Sequence, residues 1–103
     1  MHPVVEVHRE ALAAICRRFA VARLDVFGSA ARAADFDPAT SDADFLVTFA
    51  EEPDMSAFLD LKEALEAELG RRVDLVERLA VERTRNHIRR RHILAEAQPV
   101  FAA

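Results

Sequence analysis

Two apolar stretches, each ending or opening on a polar signal, constrain this chain most. Leu24-Asp25-Val26-Phe27 runs into Gly28-Ser29, and Asp42-Ala43-Asp44 opens directly onto Phe45-Leu46-Val47. Phe45-Leu46-Val47 is continuously apolar, which suits a strand covered on both faces. Strand side chains alternate with a period of two, which predicts Asp42 and Asp44 on one face. Carboxylates so paired can hold a hard divalent cation such as Mg²⁺. A Gly-Ser turn beside them can bring backbone N–H groups to phosphates. Together these features point to metal-assisted phosphoryl or nucleotidyl transfer.

The remaining pattern places these motifs in one fold. Val5, Leu12, Ile15, Cys16 and Phe19 share a stripe, which predicts a helix over 4–19. A strand is expected over 22–27, then a short helical turn over 30–34 capped by Ser29, and a loop over 35–41. The strand over 42–49 is followed by a turn at 51–54. Phe58, Leu61, Leu65 and Leu69 then fall at helical spacing, with Asp54 or Ser56 as N-cap and Gly70 as C-cap. Residues 72–76 read as a short strand, 81–97 as a helical region stopped by Pro99, and Val100-Phe101 as an edge strand. This order predicts an α/β (α+β) fold, a small mixed β-sheet flanked by helices, in one domain spanning 1–103.

Composition narrows the function. With 51% hydrophobic residues in 103, one modest core is expected, leaving little room for a separate substrate lobe. The net charge of −4 argues against a dedicated nucleic-acid binder. Arg83, Arg85, Arg89, Arg90 and Arg91 nevertheless cluster. They form either a solvated helix face paired with nearby Glu, or a contact surface for an acidic partner or nucleotide phosphates. The single Cys16 excludes an intramolecular disulfide and fits a small core residue. His87 and His92, five apart, do not share a helix face well, and no zinc site is expected. No signal peptide is read at Met1-His2-Pro3, and no apolar run approaches membrane-spanning length. A soluble cytoplasmic protein is the expectation.

Asp74 adds a third carboxylate. Its neighbours Val73 and Leu75 are apolar and point to the opposite face, so Asp74 would share the face of Asp42 and Asp44 if the strands are adjacent. A mid-strand Asp is costly unless exposed, hydrogen-bonded or metal-bound. The succession Phe27-Gly28-Ser29, Ala31-Arg32-Ala33, Ser41-Asp42-Ala43-Asp44 and Asp74 resembles the minimal nucleotidyltransferases (MNT) of the DNA polymerase β-like superfamily. The resemblance runs from about Leu24 to Phe101. It implies that Asp42, Asp44 and Asp74 are catalytic and hold two Mg²⁺ ions. It also implies that Gly28, Ser29 and Arg32 hold the phosphates of ATP. Two positions depart from the family pattern: Ala30, often Arg or another polar residue, and Ala33, usually Gly. Both would touch phosphate binding rather than the metal ligands.

Many MNT proteins are antitoxins paired with a HEPN-domain toxin. The resemblance therefore implies transfer of AMP from ATP to a toxin tyrosine, in a hetero-oligomer, with no direct nucleic-acid or membrane contact. This chain contains no Tyr, which excludes self-modification on tyrosine. Two other readings stay open: a binding module that neutralises its partner by contact alone, and a nucleotidyltransferase acting on a small molecule or RNA.

Overall fold

The computed structural model describes all residues from Met1 to Ala103. Two helices lead, α1 (Pro3–Glu6) and α2 (Arg9–Arg18), followed by β1 (Val21–Phe27), α3 (Ser29–Arg32), β2 (Ala43–Phe49) and α4 (Met55–Leu69). The chain continues through β3 (Val73–Glu77), α5 (Arg78–Arg83), α6 (His87–Glu96) and β4 (Gln98–Ala102). The sheet order is β3-β2-β1-β4. β1 is antiparallel to both β2 and β4, whereas β2 and β3 are parallel. A parallel pair needs a crossover, and α4 supplies it. The expected mixed sheet flanked by helices is present.

Boundaries differ from the sequence reading where local chemistry wins. The helix expected over 4–19 is two helices. His2 Nδ1 accepts from the Val4 N–H at 3.0 Å and Pro3 starts α1, a ready-made helix start that runs only to Glu6. The helical region expected over 81–97 is also divided. Asn86 caps α6 by accepting from the Arg89 N–H at 3.0 Å, so Thr84–Asn86 form a corner. Ser29 is the first residue of α3 rather than its cap, and Gly28 holds the cap position. By contrast, Asp54 caps α4 through the Ala57 N–H, and Gly70 closes it in the left-handed region at φ 64°.

The sheet faces carry unequal cores. A core of 19 buried residues joins α1, α2 and α4 to one face, with Leu12, Leu24, Phe45, Leu61 and Leu65 fully covered. Cys16 lies in it, and burial pushes its thiol up to about 11, leaving an inert side chain. The other face, under α5 and α6, has a core of only four buried residues, Phe27, Leu46, Val81 and Ile93. No helix is long and apolar enough to cross a membrane.

Beside the smaller core sits Asp25, the single buried charged residue, 1% exposed. Arg23 donates to its Oδ1 at 2.9 Å and Arg78 to its Oδ2 at 3.0 Å. The second contact ties the start of α5 to the central part of β1. Removing the carboxylate strands two partly exposed cations rather than a buried one, so the cost falls below that of breaking a fully buried pair. We expect Asp25→Ala to lose about 2 kcal/mol in denaturant unfolding. Adding Arg78→Ala should cost little more, because the two residues share one interaction.

Candidate active site

Register brings the predicted residues together. Phe27 pairs with Asp44 across β1 and β2, and Asp44 pairs with Asp74 across β2 and β3. Gly28 follows Phe27 directly, so turn and carboxylates share one end of the sheet. Asp44 and Asp74 lie on the face of the smaller core, because Ala43, Phe45, Val73 and Leu75 fill the larger one. Asp42 is exposed and stands immediately ahead of β2 rather than inside it.

The approach to Asp42 is built by short polar contacts. Asp37 Oδ1 accepts from the Ala39 N–H and Oδ2 from the Thr40 hydroxyl, both at 2.9 Å, while the Asp37 N–H donates to Ser41 Oγ. Arg71 donates to the Ser41 carbonyl at 3.1 Å, and its guanidinium lies over the Phe36 ring. At the start of β3, Glu66 accepts from the Val73 N–H and from Lys62, each at 3.0 Å. The Val73 hydrogen bond, first, and that from Lys62 hold its carboxyl below the usual range. The strand carrying Asp74 is thereby anchored from α4.

Electrostatics set Asp44 apart. Burial first, then the charges of Asp74 and Asp42, push its carboxyl up to about 6, while Arg32 and Arg89 pull it partly back. No three His, Cys, Asp or Glu side chains converge into a ready-made metal cage. Mg²⁺ seldom uses one: it takes one or two carboxylates, water and substrate phosphates. The donors here are all hard carboxylate oxygens, and the crowding that raises Asp44 is the repulsion a divalent cation relieves. The residues fit that ion.

The Gly28 turn is shaped for close approach. Gly28 has φ 69° and ψ −150°, a conformation open essentially to glycine alone. A Cβ there would collide with the Asp44 carboxylate. Ser29 begins α3, and the Ala31 and Arg32 amides both donate to the Gly28 carbonyl at 3.1 Å, which leaves the Ser29 and Ala30 amides without a backbone acceptor. Arg32 is occupied: it pairs with Asp35 at 2.8 Å and also with Glu96 of α6. Its hydrogen bond to Asp35 is the main reason its guanidinium sits above its ordinary pKa. Thus Arg32 ties the turn to α6 while its charge reaches Asp44.

The two departures separate in space. Ala30 is fully buried in the larger core, and its carbonyl accepts from the His2 N–H at 2.7 Å, so its side chain points away from the carboxylates. Ala33 adopts φ 69°, left-handed backbone that disfavours a side chain. Sequence reasoning missed Arg89 as a member of this site, naming it only within the Arg cluster. The signal was Asn86, whose capping starts α6 at His87 and sets Arg89 in the first turn. Arg90, by contrast, folds back onto the Thr84 carbonyl at 3.3 Å.

The nucleotidyltransferase domain family model matches residues 8–98. A solved structure of a proposed minimal nucleotidyltransferase superposes with a TM-score of 0.74 at 36% identity, over 96% of both chains. The protein adenylyltransferase MntA of Thermococcus cleftensis is 49% identical over 59 residues, 57% of this chain and 58% of that relative. The match therefore spans little more than half of that relative's length. The solved complex of a tri-AMPylated Shewanella oneidensis HEPN toxin with an MNT antitoxin aligns at TM-score 0.65. That alignment covers 96% of this chain and 73% of the other at 18% identity, which shows a shared fold.

Two outcomes follow from the site's strain. A carboxyl whose folded pKa exceeds its unfolded value of about 3.9 adds stability below pH ~4 and loses it as pH rises through about 6. Asp44→Asn should therefore melt with the wild type below pH ~4 and be more stable by about 1 kcal/mol above pH ~7, the shift being discounted for partial exposure. Thermal melts across pH check this. Ala33→Gly should gain about 0.5–1 kcal/mol in denaturant unfolding, relief of the positive φ outweighing glycine's added unfolded-state entropy.

Proposed function

The chain belongs to the nucleotidyltransferase domain family, and on that premise we propose that it transfers AMP from ATP to a tyrosine of a partner HEPN-type toxin, as an antitoxin. The observation that carries this reading is the pairing of Asp44 with Asp74 beside the Gly28 turn. The adenylyltransferase and toxin–antitoxin relatives support the choice of donor and acceptor. On this reading residues 1–103 act as one nucleotidyltransferase domain, working in the cytoplasm where its partner toxin would act.

The reaction joins an acceptor hydroxyl oxygen to the α-phosphorus in line as pyrophosphate departs. Asp42, Asp44 and Asp74 would hold two Mg²⁺ ions, which supply charge stabilisation to the attacking and leaving oxygens. Asp74, exposed on its strand, takes the acceptor proton. With its carboxyl at about 6, Asp44 is mostly ionised at neutral pH and so ready as a ligand. Gly28 allows the chain to approach the triphosphate without a side chain, and the Ser29 hydroxyl with the Ser29 and Ala30 amides donates to its β- and γ-phosphates. Arg32 adds positive charge at the turn. With Asp42 and Asp74 both exposed, the acceptor arrives on the docked partner.

The test is to incubate the protein with Mg²⁺, ATP and its co-expressed partner, then weigh the partner. We expect one or more AMP adducts, lost in Asp42→Asn/Asp44→Asn. Neutralisation of the partner that survives this double substitution, with no adduct formed by the wild type, would establish inhibition by contact instead. Adducts on RNA or a small molecule without a partner would reassign the acceptor.

A further inference from the structure

Next to the carboxylates, between β3, α5 and α6, lies a cleft lined by Val76, Ala80, Val81, Thr84, Arg89 and Ile93. We propose that it is the subsite for the nucleobase of the nucleoside triphosphate, with Arg89 lying over the base at its mouth. This rests on the nucleotidyltransferase reading and adds where the base is held within this one chain.

Position argues first. Val76 is two residues beyond Asp74 on the same strand face, so the cleft begins about 7 Å from the Asp74 backbone, roughly the step a ribose makes between phosphate and base. Chemistry argues second. Val81 and Ile93 are buried and pack with Leu46, and Val76 joins them, giving an apolar wall. The Thr84 hydroxyl accepts from the Asn86 N–H, and Arg89 is the one charged residue of the lining, so the interior of the cleft is an apolar surface rather than a nest of donors. Size argues third. The cleft holds about 150 Å³, below the 300–1,000 Å³ typical of sites that enclose a whole ligand. It suits one ring system whose remainder lies outside. Arg89 is exposed and starts no ion pair of its own. A free planar guanidinium at an apolar mouth is suited to stack on a base.

Binding calorimetry with Mg²⁺ compares ATP with inorganic tripolyphosphate. We expect ATP to bind at least about tenfold tighter, as base stacking supplies. Ala80→Leu, at an exposed helical position on the cleft rim, should erase that preference and leave tripolyphosphate affinity unchanged. Equal binding of the two probes by the wild type, or an Ala80→Leu protein that keeps the preference, overturns the subsite while leaving the phosphate and metal site standing. Binding of neither probe overturns both readings. Independently of any variant, photolabelling with 8-azido-ATP should mark peptides within residues 76–93, and labelling confined to other segments overturns the assignment.

Discussion

The parallel register between β2 and β3 is the constraint on which the rest of this molecule depends. It sets Asp44 directly opposite Asp74. Slipping β3 by one residue would turn Asp74 into the larger core, away from Asp44, and bring its apolar neighbours Val73 and Leu75 out of it. The register is enforced from two sides. Ala43, Phe45, Val73 and Leu75 are buried on one face, and Glu66 of α4 grips the Val73 N–H at the strand's start. Like charges are thus held together by apolar packing elsewhere, which is why burial and neighbouring carboxylates together raise Asp44. Repulsion at the site is sustained by the same burial that stabilises the sheet.

The turn after β1 stores a second, smaller cost. Gly28 is in a conformation that a side chain would forbid, and it sits against Asp44. Five residues later Ala33 takes a positive φ without glycine's freedom. The two departures from the family pattern therefore differ in kind. Ala30 belongs to packing, filling the larger core, whereas Ala33 bears backbone strain at the end of α3. Neither side chain is a phosphate contact in this arrangement, and the metal-facing residues stand apart from both.

Much of this was legible from periodicity and end signals. The alternation around Asp44 and Asp74, the Phe27-Gly28 break and the Asp54–Gly70 helix all carry their meaning in a few adjacent residues. What escaped depends on contacts between distant segments. Arg32 was read as a phosphate ligand, yet its partner Glu96 lies 64 positions away. Asp25 was given no role from the sequence, because its role depends on Arg78, 53 positions on. The helix breaks at Val7–His8 and Thr84–Asn86 were hidden because apolar spacing continued across them. The caps His2 and Asn86 were visible but went unused.

The inequality of the two cores has a dynamic consequence. The sheet is backed by 19 buried residues on one side and by four on the other. Local opening costs scale with what is unburied, so α5 and α6 can detach at a lower free energy than α2 or α4. The carboxylates ride on the stiff layer and Arg89 on the yielding one. Two ion pairs tie that layer back: Asp25–Arg78 joins the start of α5 to β1, and Arg32–Glu96 joins the end of α6 to α3. The acidic side of the site thus stands on the layer backed by the larger core, and its basic side, Arg89, on the layer backed by the smaller one.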